Sequence, residues 1–101
     1  MALYYTVWAT AAEVANGPVL ARGEIAIGAG SLNSTDVVDP NASPNNQGRR
    51  VRIYAEANCF VAWGDGEPTV ADGSDGIPMG ADNPEYWDIP ANQKIAVIQR
   101  V

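Results

Sequence analysis

An all-β fold is what this sequence predicts: one small β-sandwich or β-barrel of about six to seven short, mainly antiparallel strands with a long irregular loop or arm. Three observations predict it. The apolar fraction of 47% draws on Ala, Val and Ile more than on Leu and Phe, and ten Gly with seven Pro interrupt it throughout. Several segments alternate apolar and polar residues with the period of two that a half-buried strand requires. Turn residues recur about every 8 to 12 positions, the spacing of sandwich and barrel strands. At 101 residues the chain suits a single domain, 1–101, with no room for a second core.

The elements follow in order. Residues Leu3 to Thr10, aromatic and β-branched without Gly or Pro, read as a first strand. Asn16-Gly17-Pro18 breaks the chain, and Val19 to Ile27 forms a second strand with Ile25 and Ile27 on one face. From Gly28 to Gly48 the composition turns to Gly, Ser, Asn, Asp and Pro. A segment of that length without pattern is read as an extended loop or arm, with a short edge strand near Thr35 to Val38 as the alternative. Arg50 to Glu56 alternates with Val51, Ile53 and Ala55 on one face. Ala57-Asn58 is expected to turn it into Cys59 to Trp63 as a hairpin. Gly64 to Gly76 is an acidic, glycine-rich loop. Glu85 to Ile89 is a short strand stopped by Pro90, and Lys94 to Val101 alternates to its end.

Charge narrows the function classes. Twelve acidic residues against six basic ones give a net charge of −6. That balance opposes nucleic-acid binding, which needs clustered Lys and Arg to neutralise phosphates. No basic residue stands between Arg52 and Lys94, while Glu56, Asp65, Glu67, Asp72, Asp75, Asp82, Glu85 and Asp88 all do, so one strongly negative face or edge is expected. No apolar run is long enough to span a bilayer, and the first residues lack the pattern of a secretory signal. The expectation is a soluble protein made in the cytoplasm, without a membrane partner.

Reactive chemistry finds few candidates. With no histidine and one cysteine, the Ser-His-Asp and Cys-His arrangements and a structural zinc site have no residues to build them. Cys59 sits in an apolar strand and reads as a small buried hydrophobe. Carboxylates are abundant, but nothing distinguishes two of them as an acid and base pair. Asp65, Glu67, Asp72 and Asp75 among flexible glycines offer calcium-type oxygen ligands, though their spacing is not that of an EF-hand, and a solvated acidic loop is the default. The expectation is a non-enzymatic chain with no catalytic residue, no metal and no cofactor.

What remains is surface. Adjacent aromatics in a strand must face opposite ways, so one member each of Tyr4-Tyr5 and Tyr86-Trp87 approaches solvent. Arg49, Arg50 and Arg52 form the one basic cluster, with Arg50 and Arg52 on one strand face, available to a neighbouring carboxylate or a partner. A C-terminus apolar to its last residue favours attachment to a sheet or a neighbour. The candidate interface residues are therefore Tyr4, Tyr5, Arg49, Arg50, Arg52, Trp87 and Val101.

The second half carries one further signal. The run Arg50-Val51-Arg52-Ile53-Tyr54-Ala55-Glu56-Ala57-Asn58-Cys59-Phe60-Val61-Ala62-Trp63-Gly64, then Ile77-Pro78-Met79, Pro84-Glu85-Tyr86-Trp87 and Ile89-Pro90-Ala91-Asn92-Gln93-Lys94-Ile95-Ala96-Val97-Ile98, resembles small β-rich structural proteins of tailed bacteriophages. It covers about half of the chain and is a pattern of strands and turns. The resemblance implies a virion component, foremost a decoration or cement protein on the outer surface of the capsid. Its partner would be the major capsid protein, and it would form a homo-oligomer, with trimers common in such proteins. The alternative is a tail, baseplate or fibre-associated β-module that binds a host or a glycan.

Overall fold

A computed structural model describes residues 1–8, 19–39 and 49–100. The described chain contains eight strands and no helix: β1 (Ala2–Trp8), β2 (Val19–Ala26), β3 (Leu32–Asn33), β4 (Arg49–Ala55), β5 (Cys59–Gly64), β6 (Ile77–Met79), β7 (Glu85–Ile89) and β8 (Lys94–Gln99). They form two four-stranded sheets, ordered β2-β1-β4-β7 (sheet I) and β3-β8-β5-β6 (sheet II), with every neighbouring pair antiparallel. The protein is therefore an all-β sandwich. The count exceeds the expected six or seven through its two shortest strands, β3 and β6.

The core follows from alternation. Leu3, Tyr5 and Val7 of β1, Ile25 of β2, Val51, Ile53 and Ala55 of β4 and Ile89 of β7 point from sheet I into one buried cluster. Cys59 and Val61 of β5, Met79 of β6 and Ile95 and Val97 of β8 meet them from sheet II. Trp87 and Trp63, one from each sheet, pack on this cluster with ring centroids 5.3 Å apart and join the sheets through their largest side chains. Their burial gives the sandwich its main driving force, about 25 cal/mol for each Å² removed from water.

One expected connection differs. β4 and β5 lie in different sheets and do not pair, so residues 56–58 carry the chain across the core instead of closing a hairpin. Both strands bury their apolar face in either arrangement, so alternation alone does not choose. The crossing is fixed by its hydrogen bonds: the Ala2 amide donates to Glu56 Oε1 (2.9 Å), the Glu56 amide to Ala2 O, the Ala81 amide to Asn58 Oδ1 (2.8 Å) and the Arg100 amide to Asn58 O.

The segment read as an arm is also attached where it is described. Residues 28–39 contain β3, and the Ser34 amide donates to Ile95 O (2.8 Å) while Ser34 Oγ accepts from the Ile95 amide (3.1 Å). Val38, 2% exposed, exchanges backbone hydrogen bonds with Gln93 and Asn92. The expected edge strand near Thr35 to Val38 is displaced to Leu32–Asn33, because Ser34 turns its hydroxyl onto the β8 backbone and onto Asp36 O. Residues 40–48 of the arm, the end of the first strand at Thr10, the break at Asn16-Gly17-Pro18 and Val101 lie outside the described residues.

Edge strand β2 shows a place where glycine is required. Gly23 stands opposite Tyr5, whose ring lies across it; a Cβ there would meet Tyr5 Oη at 2.5 Å and Cζ at 2.8 Å. The Tyr5 hydroxyl continues to Thr35 and the Asp36 amide, and burial pushes its pKa up. Tyr5 thus spans from sheet I to the segment that follows β3. Gly23→Ala is expected to cost about 1–3 kcal/mol through overpacking. Gly28→Ala, where an added Cβ meets nothing within 4 Å, should leave the urea midpoint nearly unchanged.

Candidate functional site

The outer face of sheet I is built by the residues that alternate with the core. β1 turns Tyr4, Thr6 and Trp8 outward; β2 contributes Arg22 and Glu24; β4 contributes Arg50, Arg52 and Tyr54; β7 contributes Tyr86 and Asp88. Register arranges them in rows across the strands. Glu24, Tyr4 and Tyr54 form one row, Arg22, Thr6, Arg52 and Tyr86 the next, and Arg50 with Asp88 a third beside Trp8.

The rings and guanidinium groups of this face hold one another. Trp8 and Tyr86 stack with centroids 6.1 Å apart, reaching over β4 from both sides. The Arg50 guanidinium lies 5.9 Å from the Tyr86 ring centre and that of Arg52 lies 5.7 Å from the Tyr54 ring centre, within the range of cation–π attraction. Tyr4 and Tyr86 are 41% and 52% exposed, the aromatic rings most open to solvent among the described residues. Beside them Tyr4, Thr6, Trp8, Arg22, Glu24 and Arg52 line a groove of about 460 Å³. That volume is within the range of small-ligand pockets.

Charge is distributed unevenly over this face. The two ion pairs among the described residues, Arg49–Asp39 at 2.7 Å and Lys94–Glu67 at 3.1 Å, both lie away from it. Arg22, Arg50 and Arg52 enter neither. Arg50 stands directly opposite Asp88 in register, yet its head turns to the Tyr86 ring. The Tyr4 end is negative: Glu56 foremost, then burial and Glu24, raises the Tyr4 phenol pKa.

The candidate interface residues therefore separate. Tyr4, Arg50 and Arg52 occupy the outer face together. Tyr5 and Trp87 do not, since their parity along the strand turns them into the core, and their neighbours Tyr4 and Tyr86 take the outward positions. Arg49 is held by Asp39, with its Nε also donating to Asp39 Oδ2 (2.7 Å), and is spent on anchoring residue 39. Sequence reasoning missed Trp8, Arg22 and Tyr86. The signal for all three was present in the parity of Leu3, Ile25 and Ile89.

The outer face of sheet II is covered by contrast. Residues 65–76 fold back over it: Glu67 accepts from Asn33 Nδ2 (3.2 Å) and Lys94 Nζ, and the Val70 amide donates to Ser31 Oγ (3.1 Å). Gly73 and Gly76 lie against the Phe60 side chain, and Val70 and Ala96 are buried outside the main core. Two of the loop's carboxylates, Asp72 and Asp75, are engaged within the loop. Asp75 accepts from the Ala71 and Asp72 amides, and Asp72 accepts from the Ser74 amide and hydroxyl, which lowers the Asp72 pKa. Among the described residues no group of three or more metal-ligating side chains assembles. The acidic stretch does not gather on one face either, since Glu67 serves sheet II whereas Asp82 and Asp88 stand by sheet I. Cys59 is buried, and desolvation pushes its thiol up to about 11, so the thiolate is scarce at neutral pH.

The Tyr54 hydroxyl donates to Asp82 Oδ1 (2.6 Å), and this bond, with burial adding to it, raises the phenol pKa. A raised pKa means the bond contributes fully below the ordinary phenol value and is lost as pH rises through the raised one. Asp82→Asn should bring Tyr54 back toward the ordinary value in a phenolate absorbance titration. Asparagine also tolerates the positive φ of 61° at this position. Comparison with protein families, with curated proteins and with solved structures finds no match to this chain.

Proposed function

We propose that this chain is a non-enzymatic structural protein of a tailed-bacteriophage virion that decorates the outer shell of the head, docking through the outer face of sheet I. The observation that carries the docking surface is the set of arginines without an ion pair among the described residues, Arg22, Arg50 and Arg52, interleaved with Tyr4, Trp8, Tyr54 and Tyr86. Tyr, Trp and Arg are the residue types enriched at the energetic centre of protein interfaces. The choice of a virion partner rests on the resemblance of residues 50–98 to phage structural proteins, and the major capsid protein is the partner it implies. A homo-oligomer, a trimer foremost, would hold several such faces against the shell at once and multiply weak contacts.

The non-enzymatic part of the reading is supported by chemistry. The sequence has no histidine, and its one thiol is buried and protonated.

Mixing the purified chain with undecorated heads should leave it in the pellet with the particles after sedimentation. Trp8→Ala or Tyr86→Ala should weaken that association by about 30-fold, the effect of removing an interface anchor worth about 2 kcal/mol. A chain that stays in the supernatant overturns the reading.

The groove favours a second reading, a tail- or fibre-associated module that binds a glycan, since Tyr4 and Trp8 offer ring faces beside polar Thr6, Arg22 and Glu24. Saturable quenching of tryptophan fluorescence by an oligosaccharide, abolished in Trp8→Ala, together with antibody labelling at the tail, would decide for it.

A further inference from the structure

The arginines of the outer face differ in surroundings, and the difference reads as a selectivity pattern. Arg22 and Arg52 flank Thr6 on the two neighbouring strands, so their backbones stand about 10 Å apart with one hydroxyl between them. Both line the groove, and neither enters an ion pair among the described residues. One row away the surface reverses sign, with Glu24 directly opposite Tyr4 and Glu56 near enough to act on the Tyr4 phenol. On the other side, Trp8 stacks on Tyr86 and offers an apolar surface.

We infer that the groove over β2, β1 and β4 receives an extended acidic segment of the partner protein, its carboxylates held by Arg22 and Arg52 on either side of Thr6 and an apolar residue set against Trp8. The inference rests on the docking reading above and names the chemistry of its partner. Complementarity of charge selects the occupant. Two guanidinium groups without an ion pair among the described residues match two carboxylates, each able to accept paired hydrogen bonds from a guanidinium fork. In an extended chain, side chains at alternate positions share a face about 7 Å apart, a separation that two flexible arginine side chains rooted about 10 Å apart can close upon. A polyphosphate is disfavoured, because a continuous run of charge would cross from the arginine row onto Glu24 and Glu56. A chain with carboxylates at only two alternate positions stays within the arginine row.

The test is a tryptophan-fluorescence titration of the whole chain with a capped pentapeptide carrying Glu at its first and third positions and Phe at its fifth. The control peptide has Gln in place of both Glu. The Glu peptide should saturate the signal, bind at least 10-fold tighter than the Gln peptide, and weaken as salt rises. Arg22→Gln and Arg52→Gln, checked for folding by circular dichroism, should each remove that preference. Equal affinity for the two peptides overturns the inference, as does tighter binding of single-stranded DNA or of polygalacturonate than of the Glu peptide. Self-association that is lost in Arg22→Gln overturns it too, because the arginine row would then belong to a second copy of the chain. Sedimentation with heads separates the two levels of argument. Heads that bind the wild-type chain and the Arg22→Glu, Arg52→Glu double variant equally well leave the decoration of heads standing and overturn both the acidic partner and the arginine row as its docking contact. Heads that bind neither overturn the docking reading itself, and the peptide titration still decides the groove.

Discussion

The constraint on which the rest depends is the burial of one face of each sheet against the other. Every residue of the buried cluster except Val38 has an odd number, and so do Trp63 and Trp87, which pack against it. Side chains alternate along a strand, so the connections must deliver each strand into its sheet with odd positions inward. A slip of one residue in any strand would carry its apolar set to solvent and its charged set into the core. The crossing at residues 56–58 keeps parity between Ala55 and Cys59, and Glu56 and Asn58 do so by bonding to the first strand and to residues 81 and 100. Once the odd positions are committed, the even positions are free to vary in chemistry, and the character of the molecule lies in them.

The two sheets use that freedom in opposite ways. Sheet II places Phe60, Ala62, Ala96 and Ile98 outward, an apolar set that would be a liability in water, and the 65–76 loop lies over it. Sheet I places arginines and aromatics outward, and its described loops leave that face open. Covering sheet II explains why an acidic, glycine-rich loop has a buried Val70 and why Gly73 and Gly76 meet the Phe60 side chain. It also explains why Asp72 and Asp75 are drawn into hydrogen bonds with the loop's own backbone: they stabilise a tight local path over an apolar surface.

Parity made much of this legible in the sequence. Alternation placed strands at Arg50 to Glu56 and Cys59 to Trp63, within one residue of the observed Arg49–Ala55 and Cys59–Gly64, and gave the inward set Val51, Ile53, Ala55, Cys59 and Val61; composition and turn residues added the all-β class and the strand from Glu85 to Ile89. What alternation could not give was which strands share a sheet, because inward-facing residues look the same in a hairpin and in a crossing between sheets. The hairpin expected at Ala57-Asn58 failed for that reason. Short elements were hidden as well. β3 spans two residues, and the packing of residues 34–39 depends on Ser34 Oγ reaching β8, a contact 61 residues apart in sequence. Of the candidate interface, Tyr4, Arg50 and Arg52 were readable as surface. Tyr5 and Trp87 were chosen from pairs whose outward member was decided by the parity of Leu3 and Ile89. Arg22 was readable as outward from the parity of Ile25, but only the fold places it across Thr6 from Arg52.

The docking proposed for the outer face of sheet I would carry no large entropic cost. An exposed arginine ordinarily loses considerable side-chain freedom when it is fixed in an interface. Here Arg50 and Arg52 already lie over tyrosine rings, and Trp8 and Tyr86 already stack, so part of that freedom is lost in the free protein. Tyr54 is further restrained through Asp82, which ties the ring under Arg52 to the loop at residue 82. A guanidinium near a ring keeps N–H groups able to donate to a partner, because it carries five donors. The sheet therefore presents donors rooted at fixed strand positions, with Glu24 one row away. A fixed pattern of both signs discriminates among partners more sharply than a uniform positive patch of the same size, since a mismatched partner meets repulsion as well as lost attraction.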